Sequence, residues 1–316
     1  MEIKLYEDWM RPQVISLFVA EYGVDFSEFE QLFLKFYEAP YQKEHSIRIV
    51  TVEGEKVGGF QSFFYWPLRQ DNKTIHALQS GNSLVHPDFR GKGLFAKMLD
   101  YIHQPENNIH FDLLIGFPVE ASYNSFIRKN WENPFNLQWY IRPLNPLLSL
   151  FSKASNQLTK SAIFQRVPTD VFAMNSSVMV EQSKGMDEYR FDYQNEPHFR
   201  FIHEENSHKA LFEFKVQIRK RIIQEIVIGR AIFSTTDSIF RIKAWKEFEM
   251  AIRKNCSASL MSYAINELNT DAIEPIVQRG FRKIDRKIYF IAKAKEGKID
   301  AAWHEWHIER GDIDTW

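Results

Sequence analysis

Residues 83–102 read Ser83-Leu84-Val85-His86-Pro87-Asp88-Phe89-Arg90-Gly91-Lys92-Gly93-Leu94-Phe95-Ala96-Lys97-Met98-Leu99-Asp100-Tyr101-Ile102. The run into Val85 predicts the end of a strand, residues 90–93 a tight turn, and the apolar spacing from Leu94 onward a helix. Such a turn aims successive backbone N–H groups and the positive end of the helix dipole at one point, which suits a phosphate ester. Gly91 and Gly93 let the main chain come close to that ester. Arg90 and Lys92 add positive charge that no Asp or Glu within the turn cancels. The expected ligand is a pyrophosphate.

The flanking sequence predicts an ordered series. Glu2 to Glu7 reads as a strand, and Arg11 to Tyr22 and Phe26 to Tyr37 read as amphipathic helices. Ile47 to Val52 and Val57 to Tyr65 form a hairpin around Glu53-Gly54-Glu55-Lys56. Ile75 to Val85 is one long strand feeding the glycine turn. Phe111 to Phe117 is a short apolar strand covered on both faces. It leads through Pro118 into a helix over Ala121 to Asn130, closed by Trp131 and Pro134.

The glycine turn resembles the pyrophosphate-binding motif of the GCN5-related N-acetyltransferases, whose Arg/Gln, Gly and Gly/Ala places fall here on Arg90, Gly93 and Phe95. The first two match and the third departs, so the Phe95 ring must turn into the interior. The order of elements over about the first 140 residues also fits that family. The resemblance implies an α/β mixed sheet, mostly antiparallel and twisted, with helices on both faces and two splayed parallel strands at the cofactor site. It further implies that acetyl-coenzyme A is the co-substrate. Its pyrophosphate would lie on the amides of Gly91, Lys92, Gly93 and Leu94, and its pantetheine arm would bond the backbone of Leu84 and Val85 like an added strand.

Two roles in the implied reaction are open in the sequence. On the helix after Phe117 the family's Asn place falls on Val119, its small residue on Ser122, and its proton-donating Tyr on Phe126, which has no proton to give. Tyr123 is the shifted candidate acid, and an ordinary half-buried Tyr is the alternative. The strand over 75–85 carries no Asp or Glu. His76 is its only side chain suited to proton transfer near neutrality, with Glu120 the other contender for the base. Gln79, Ser80 and Asn82 are expected to orient the acceptor or a water.

The chain of 316 residues has a formal net charge of −1, which argues against a dedicated nucleic-acid or anionic-membrane binder. Its 27 Phe residues supply apolar area for two cores. Cys256 stands alone, so an internal disulfide and a four-thiolate zinc site are excluded, and no metal is expected. No apolar run is long enough to span a bilayer and the start carries no apolar signal core, from which a cytoplasmic location is expected.

The expected organisation is a cofactor-binding domain over 1–142, a helical linker over 143–175 with a helix at Leu147 to Leu158, a second domain over 176–296, and a tail over 297–316. In the second domain, Ala210 to Ile218 and Ile222 to Phe233 form a hairpin, Ile239 to Lys254 a helix, Ala258 to Ala264 a strand, Thr270 to Arg279 a helix, and Phe281 to Ala292 a last strand. This order looks like a second, degenerate acetyltransferase core. It lacks the phosphate turn, since Ser234-Thr235-Thr236-Asp237-Ser238 has no glycine and adds a carboxylate. Its expected task is to complete the acceptor pocket or to make a homodimer.

The tail, dense in Trp, His and carboxylates, either folds back to line a polar cleft or simply closes a domain surface. A metal role for His304 and His307 is disfavoured because the two-His spacing around a Glu is missing. The resemblance thus implies an acyl-CoA-dependent N-acyltransferase acting on a small-molecule amine, and tandem members with this motif suggest an amino sugar. A non-catalytic acyl-CoA scaffold or sensor, and an aminoacyl transferase of related tandem fold, are the competing readings.

Overall fold

A computed structural model describes residues 1–70, 73–144, 178–181, 183–192, 198–219, 223–296 and 302–314. The chain opens with β1 (Glu2–Leu5), α1 (Arg11–Tyr22), α2 (Phe26–Tyr37) and α3 (Pro40–His45). Gly23 ends α1 in the left-handed region (φ 65°), and the Asp25 carboxylate caps α2 by accepting from the amides of Ser27 and Glu28 at 2.8 and 3.1 Å. Strands β2 (Ile47–Glu53) and β3 (Lys56–Tyr65) follow. Phe18, Phe33 and Tyr37 of the two long helices bury against Phe60 and Phe64 of β3, each ring contributing about 1.5–3 kcal/mol by leaving water.

The long strand expected over 75–85 is two strands. β4 (Leu68–Gln70) and β5 (Lys73–Ile75) pair in a small separate sheet, and β6 (Ala77–Val85) joins the main one. The change falls at His76, whose amide bonds the Asp112 carboxylate at 2.8 Å instead of a ladder partner. Next come α4 (Leu94–Tyr101), β7 (Leu113–Gly116), α5 (Glu120–Ile127) and β8 (Glu132–Pro143). The sequence reading has no strand where β8 runs. The expected helix over 147–158 lies outside the described residues.

After β9 (Val178–Val180) and α6 (Lys184–Asp192), strands β10 (His198–Glu205), β11 (His208–Arg219) and β12 (Ile223–Phe233) form an antiparallel meander. β10 also escaped the sequence reading. Then come α7 (Ser238–Asn255), β13 (Leu260–Asn266), α8 (Thr270–Gln278), β14 (Arg282–Ala294) and, in the tail, β15 (Trp306–His307). Phe248 of α7 stacks on Phe212 of β11 at 4.5 Å and anchors the second core. No helix among the described residues is long and apolar enough to cross a membrane.

Among the described residues the main sheet has 11 strands in the order β1-β2-β3-β6-β7-β14-β8-β13-β12-β11-β10. The last strand of each half therefore pairs within the other half. β14 lies between β7 and β8, while β8 runs antiparallel to β13 from Leu137↔Asn266 to Pro143↔Leu260. The two halves of the sequence are thus parts of one sheet joined by a strand exchange.

Between β10, β11, β12, α6 and the tail lies a buried ion network. Arg200 contacts Asp187 at 2.8 Å and Glu213 at 3.2 Å, Arg190 meets Glu213 at 3.3 Å, and Arg230 holds Asp312 at 2.7 Å. Burial pushes Glu213 up, but the charges of Arg190, Arg200 and Arg230 overcome it and bring its pKa from 4.5 to about 2. Because the folded value is depressed, this carboxylate stabilises the fold above pH 4.5, and its contribution is lost as pH falls from there toward 2. Asp312 is shifted the other way, first by burial, which offsets part of it. Glu213→Gln is expected to flatten the acid limb of a stability-versus-pH curve by about 3 kcal/mol. An unchanged limb would show that Glu213 does not titrate in that range.

Candidate active site

The parallel pairing of β6 with β7 runs from Ala77↔Leu113 to Ser80↔Gly116 and stops there. On the other side of β6 the register against β3 slips between Phe60 and Ser62, so Asn82 and Ser83 oppose one residue in a bulge, and Asn82 takes φ 50°. The bulge bends β6 away just as β7 ends. The result is a V-shaped cleft of about 390 Å³ whose walls include Ser80, Asn82, Val85, Phe95, Phe117 and Ser122.

The glycine turn lies along the chain between Val85 and Phe95, two residues of the cleft wall. Gly91 and Gly93 stand at φ 78° and 70°, and the space where side chains would project is open at both. Gly93 caps α4, so the amides of Leu94 and Phe95 in its first turn have no intrahelical acceptor. Phe89 is buried beneath the turn, with the Lys56 and Lys92 ammonium groups 5.1 and 4.9 Å from its ring. Arg90 differs from the expectation in one respect. Its guanidinium bonds the Val85 carbonyl at 3.0 Å and the Glu21 carboxylate of α1 at 2.6 Å, so a partner outside the turn offsets its charge. Phe95 packs edge-on to Phe126 at 5.3 Å but stays half-buried on the cleft wall, not wholly in the interior as expected. Leu84 is a core side chain, and the Ser122 hydroxyl bonds the Val119 carbonyl at 3.2 Å.

The three residues proposed for proton transfer are not gathered at this cleft. His76 sits at the opposite end of β6, exposed, 3.4 Å from the Tyr65 hydroxyl and beside an open depression with His110, Asp112 and Lys295. Ser80 lies four positions further on, roughly 13 Å along a strand. Tyr123 points its hydroxyl at Asn133 (3.1 Å) and lays its ring against Tyr289. Glu120 is exposed at the start of α5 and is not part of the cleft wall. Gln79 is fully buried on β6, and the Ser80 hydroxyl accepts from Gln61 at 3.1 Å, while Asn82 does line the cleft.

A carboxylate does reach the cleft from the tail, where a polar lining was one expectation but no site residue was named. Asp314 in the tail is buried and lines the same cavity. One of its carboxylate oxygens lies 2.7 Å from where a Cβ on Gly81 would stand, so the missing side chain at 81 is what admits it. Burial, and next the charge of Asp314, push the neighbouring Tyr37 hydroxyl well above its ordinary value. The signal in the sequence was the tail's density of Trp, His and carboxylates, which pointed to a polar lining without saying which residue supplied it.

The second half has a matching opening, and the tail fills it. β12 pairs in parallel with β13 only from Glu225↔Leu260 to Ile228↔Tyr263, and a bulge falls at Gly229. Ile308 accepts from the Asn266 amide at 3.0 Å, and the Glu309 carboxylate accepts from the Ala231 amide at 3.0 Å. Gly311 lies on Gly229 so closely that a Cβ would come within 2.8 Å of its backbone. The groups that would meet an added strand are bonded to the tail. Among the described residues no group of three His, Cys, Asp or Glu is placed to hold a metal ion.

No family model and no curated protein sequence matches the chain. Solved structures do. A GCN5-related N-acetyltransferase from Anabaena variabilis superposes with a TM-score of 0.65 at 8% identity over 93% of this chain and 73% of that one. One from Kribbella flavida gives 0.58 at 8% identity, over 93% and 71%. N-myristoyltransferase of Saccharomyces cerevisiae, solved with myristoyl-CoA bound, gives 0.50 at 14% identity over 94% and 79%. The chain has the fold of the GCN5-related N-acetyltransferases.

Proposed function

We propose that this protein is an acyl-CoA-dependent N-acyltransferase whose cofactor occupies the cleft of the first half. The observation that carries the reading is the bulged, splayed end of β6 opening onto the glycine turn. Bare amides at the head of α4 would hold the pyrophosphate, Lys92 would add charge, and the free edge of β6 at Leu84 and Val85 would pair with the pantetheine arm. The thioester then arrives at the fork beside Ser80 and Gly116. An amine bound there attacks the carbonyl directly, and proximity supplies much of the rate. Acetyl is the proposed acyl group, and an amino sugar is the proposed acceptor class. The second half takes no cofactor in this reading, because the tail holds the amide of Ala231.

A non-catalytic acyl-CoA binder is the second reading, favoured by Phe126 where the family has a Tyr and by Val119, 70% exposed, where it has an Asn. Thiol release from acetyl-CoA across a panel of amines separates the two. Turnover well above the rate without acceptor is expected for at least one amine. Tight cofactor binding with no turnover on any of them would instead establish the binder.

A further inference from the structure

We infer that Asp314 is the residue that receives the acceptor's proton, and that the acceptor is a primary amine which arrives positively charged. This rests on the acyltransferase reading above. β6 supplies no carboxylate, and His76, Tyr123 and Glu120 lie away from the fork. Asp314 stands on Gly81, one residue past the last β6–β7 pair, on the same cavity wall as Ser80 and Asn82.

Beside this carboxylate stand the Phe64 ring of β3 and Tyr37 of α2, whose hydroxyl the Asn82 side chain bonds, with Tyr22 of α1 on the cleft wall. Tyr37 stays protonated, because burial first and the nearby carboxylate second hold its proton on. A buried carboxylate at the mouth of an apolar cleft attracts an ammonium, and it orients that ammonium toward the thioester before any bond changes.

The step balances as follows. The ammonium gives one proton to Asp314, and its nitrogen lone pair attacks the thioester carbonyl. The C–N bond forms, the C–S bond breaks, and the second nitrogen proton leaves with the thiolate. Products are the amide and free thiol, and Asp314 returns its proton to water.

The tail's seat in the second half fixes where Asp314 stands. Asp312 is clamped by Arg230 at 2.7 and 2.8 Å and bonds the Glu309 amide at 2.8 Å, two residues before the carboxylate in question. The opening that would hold a second cofactor thus holds the arm that carries the base.

The test compares wild type with Asp314→Asn at pH 7, using acetyl-CoA with methylamine, which is protonated there, or hydroxylamine, which is neutral. The variant is expected to lose about 10²–10⁴-fold in turnover with methylamine. With hydroxylamine it should stay within about threefold of wild type, and its coenzyme A affinity should be unchanged. Equal loss on both amines, or loss on neither, overturns the assignment. Wild type that binds acetyl-CoA yet transfers to no amine overturns the acyltransferase reading and takes this inference with it. Should that substitution unseat the tail, Gly81→Ala offers a second route, since its Cβ displaces the carboxylate directly. The same split between the two amines is expected, and a uniform response refutes the role.

Discussion

Arg90→Glu combined with Gly93→Asp is expected to weaken coenzyme A binding by on the order of 10³-fold while leaving the protein folded. Two positive or neutral positions around the turn become carboxylates. A unit charge about 4 Å from a phosphate is worth about 4 kcal/mol near a protein surface, so either change alone should be measurable. A carboxylate at position 90 would also face Glu21, which now holds Arg90 at 2.6 Å, and that repulsion loosens the turn from α1. The helix itself should survive. Asp is a favourable residue at a helix N-cap, and it tolerates the left-handed φ of 70° better than most residues. Calorimetry with coenzyme A reads the effect, and circular dichroism checks the fold. Unchanged affinity in a folded double variant would remove the phosphate from this turn.

The other large effect is expected at the clamp. Asp312→Ala leaves the buried Arg230 guanidinium without its nearest carboxylate, and breaking such a pair costs about 3–5 kcal/mol. It also removes the acceptor for the Glu309 amide, so Glu309 loses its hold on Ala231 and the tail loosens from the second opening. Stability and turnover should therefore fall together, although Asp312 is not part of the cavity wall around Asp314. Denaturant titration gives the first quantity and thiol release the second. Arg230→Met with Asp312→Leu, which removes both charges at once, should recover most of the stability. A loss below about 1 kcal/mol for the single variant would mean that the pair is solvated.

Much of the framework was legible because its signals are local. The apolar spacing of α1 and α2 gave both helices to the residue, and the glycine turn named the head of α4. The bulge at Asn82 and Ser83 was not legible, because it is a mismatch in register between two strands and no single segment encodes it. β8 escaped for a related reason. Glu132-Asn133-Pro134 reads as a break, yet the strand runs through it because Asn133 bonds the backbone of Phe135 and Phe290 at 2.7 Å each. The candidate base was hidden by distance along the chain. Gly81 in a strand signals only that something approaches closely, and what approaches is 233 residues away.

The exchange of β14 and β8 has a consequence for how substrates are admitted. Among the described residues the strand order from β1 to β10 ties the two halves into one sheet. Swinging two lobes shut about a joint would require breaking those strand pairs. In the proposed reaction, bulk added to the cleft rim is therefore expected to change which amines are used more than how fast the good ones react.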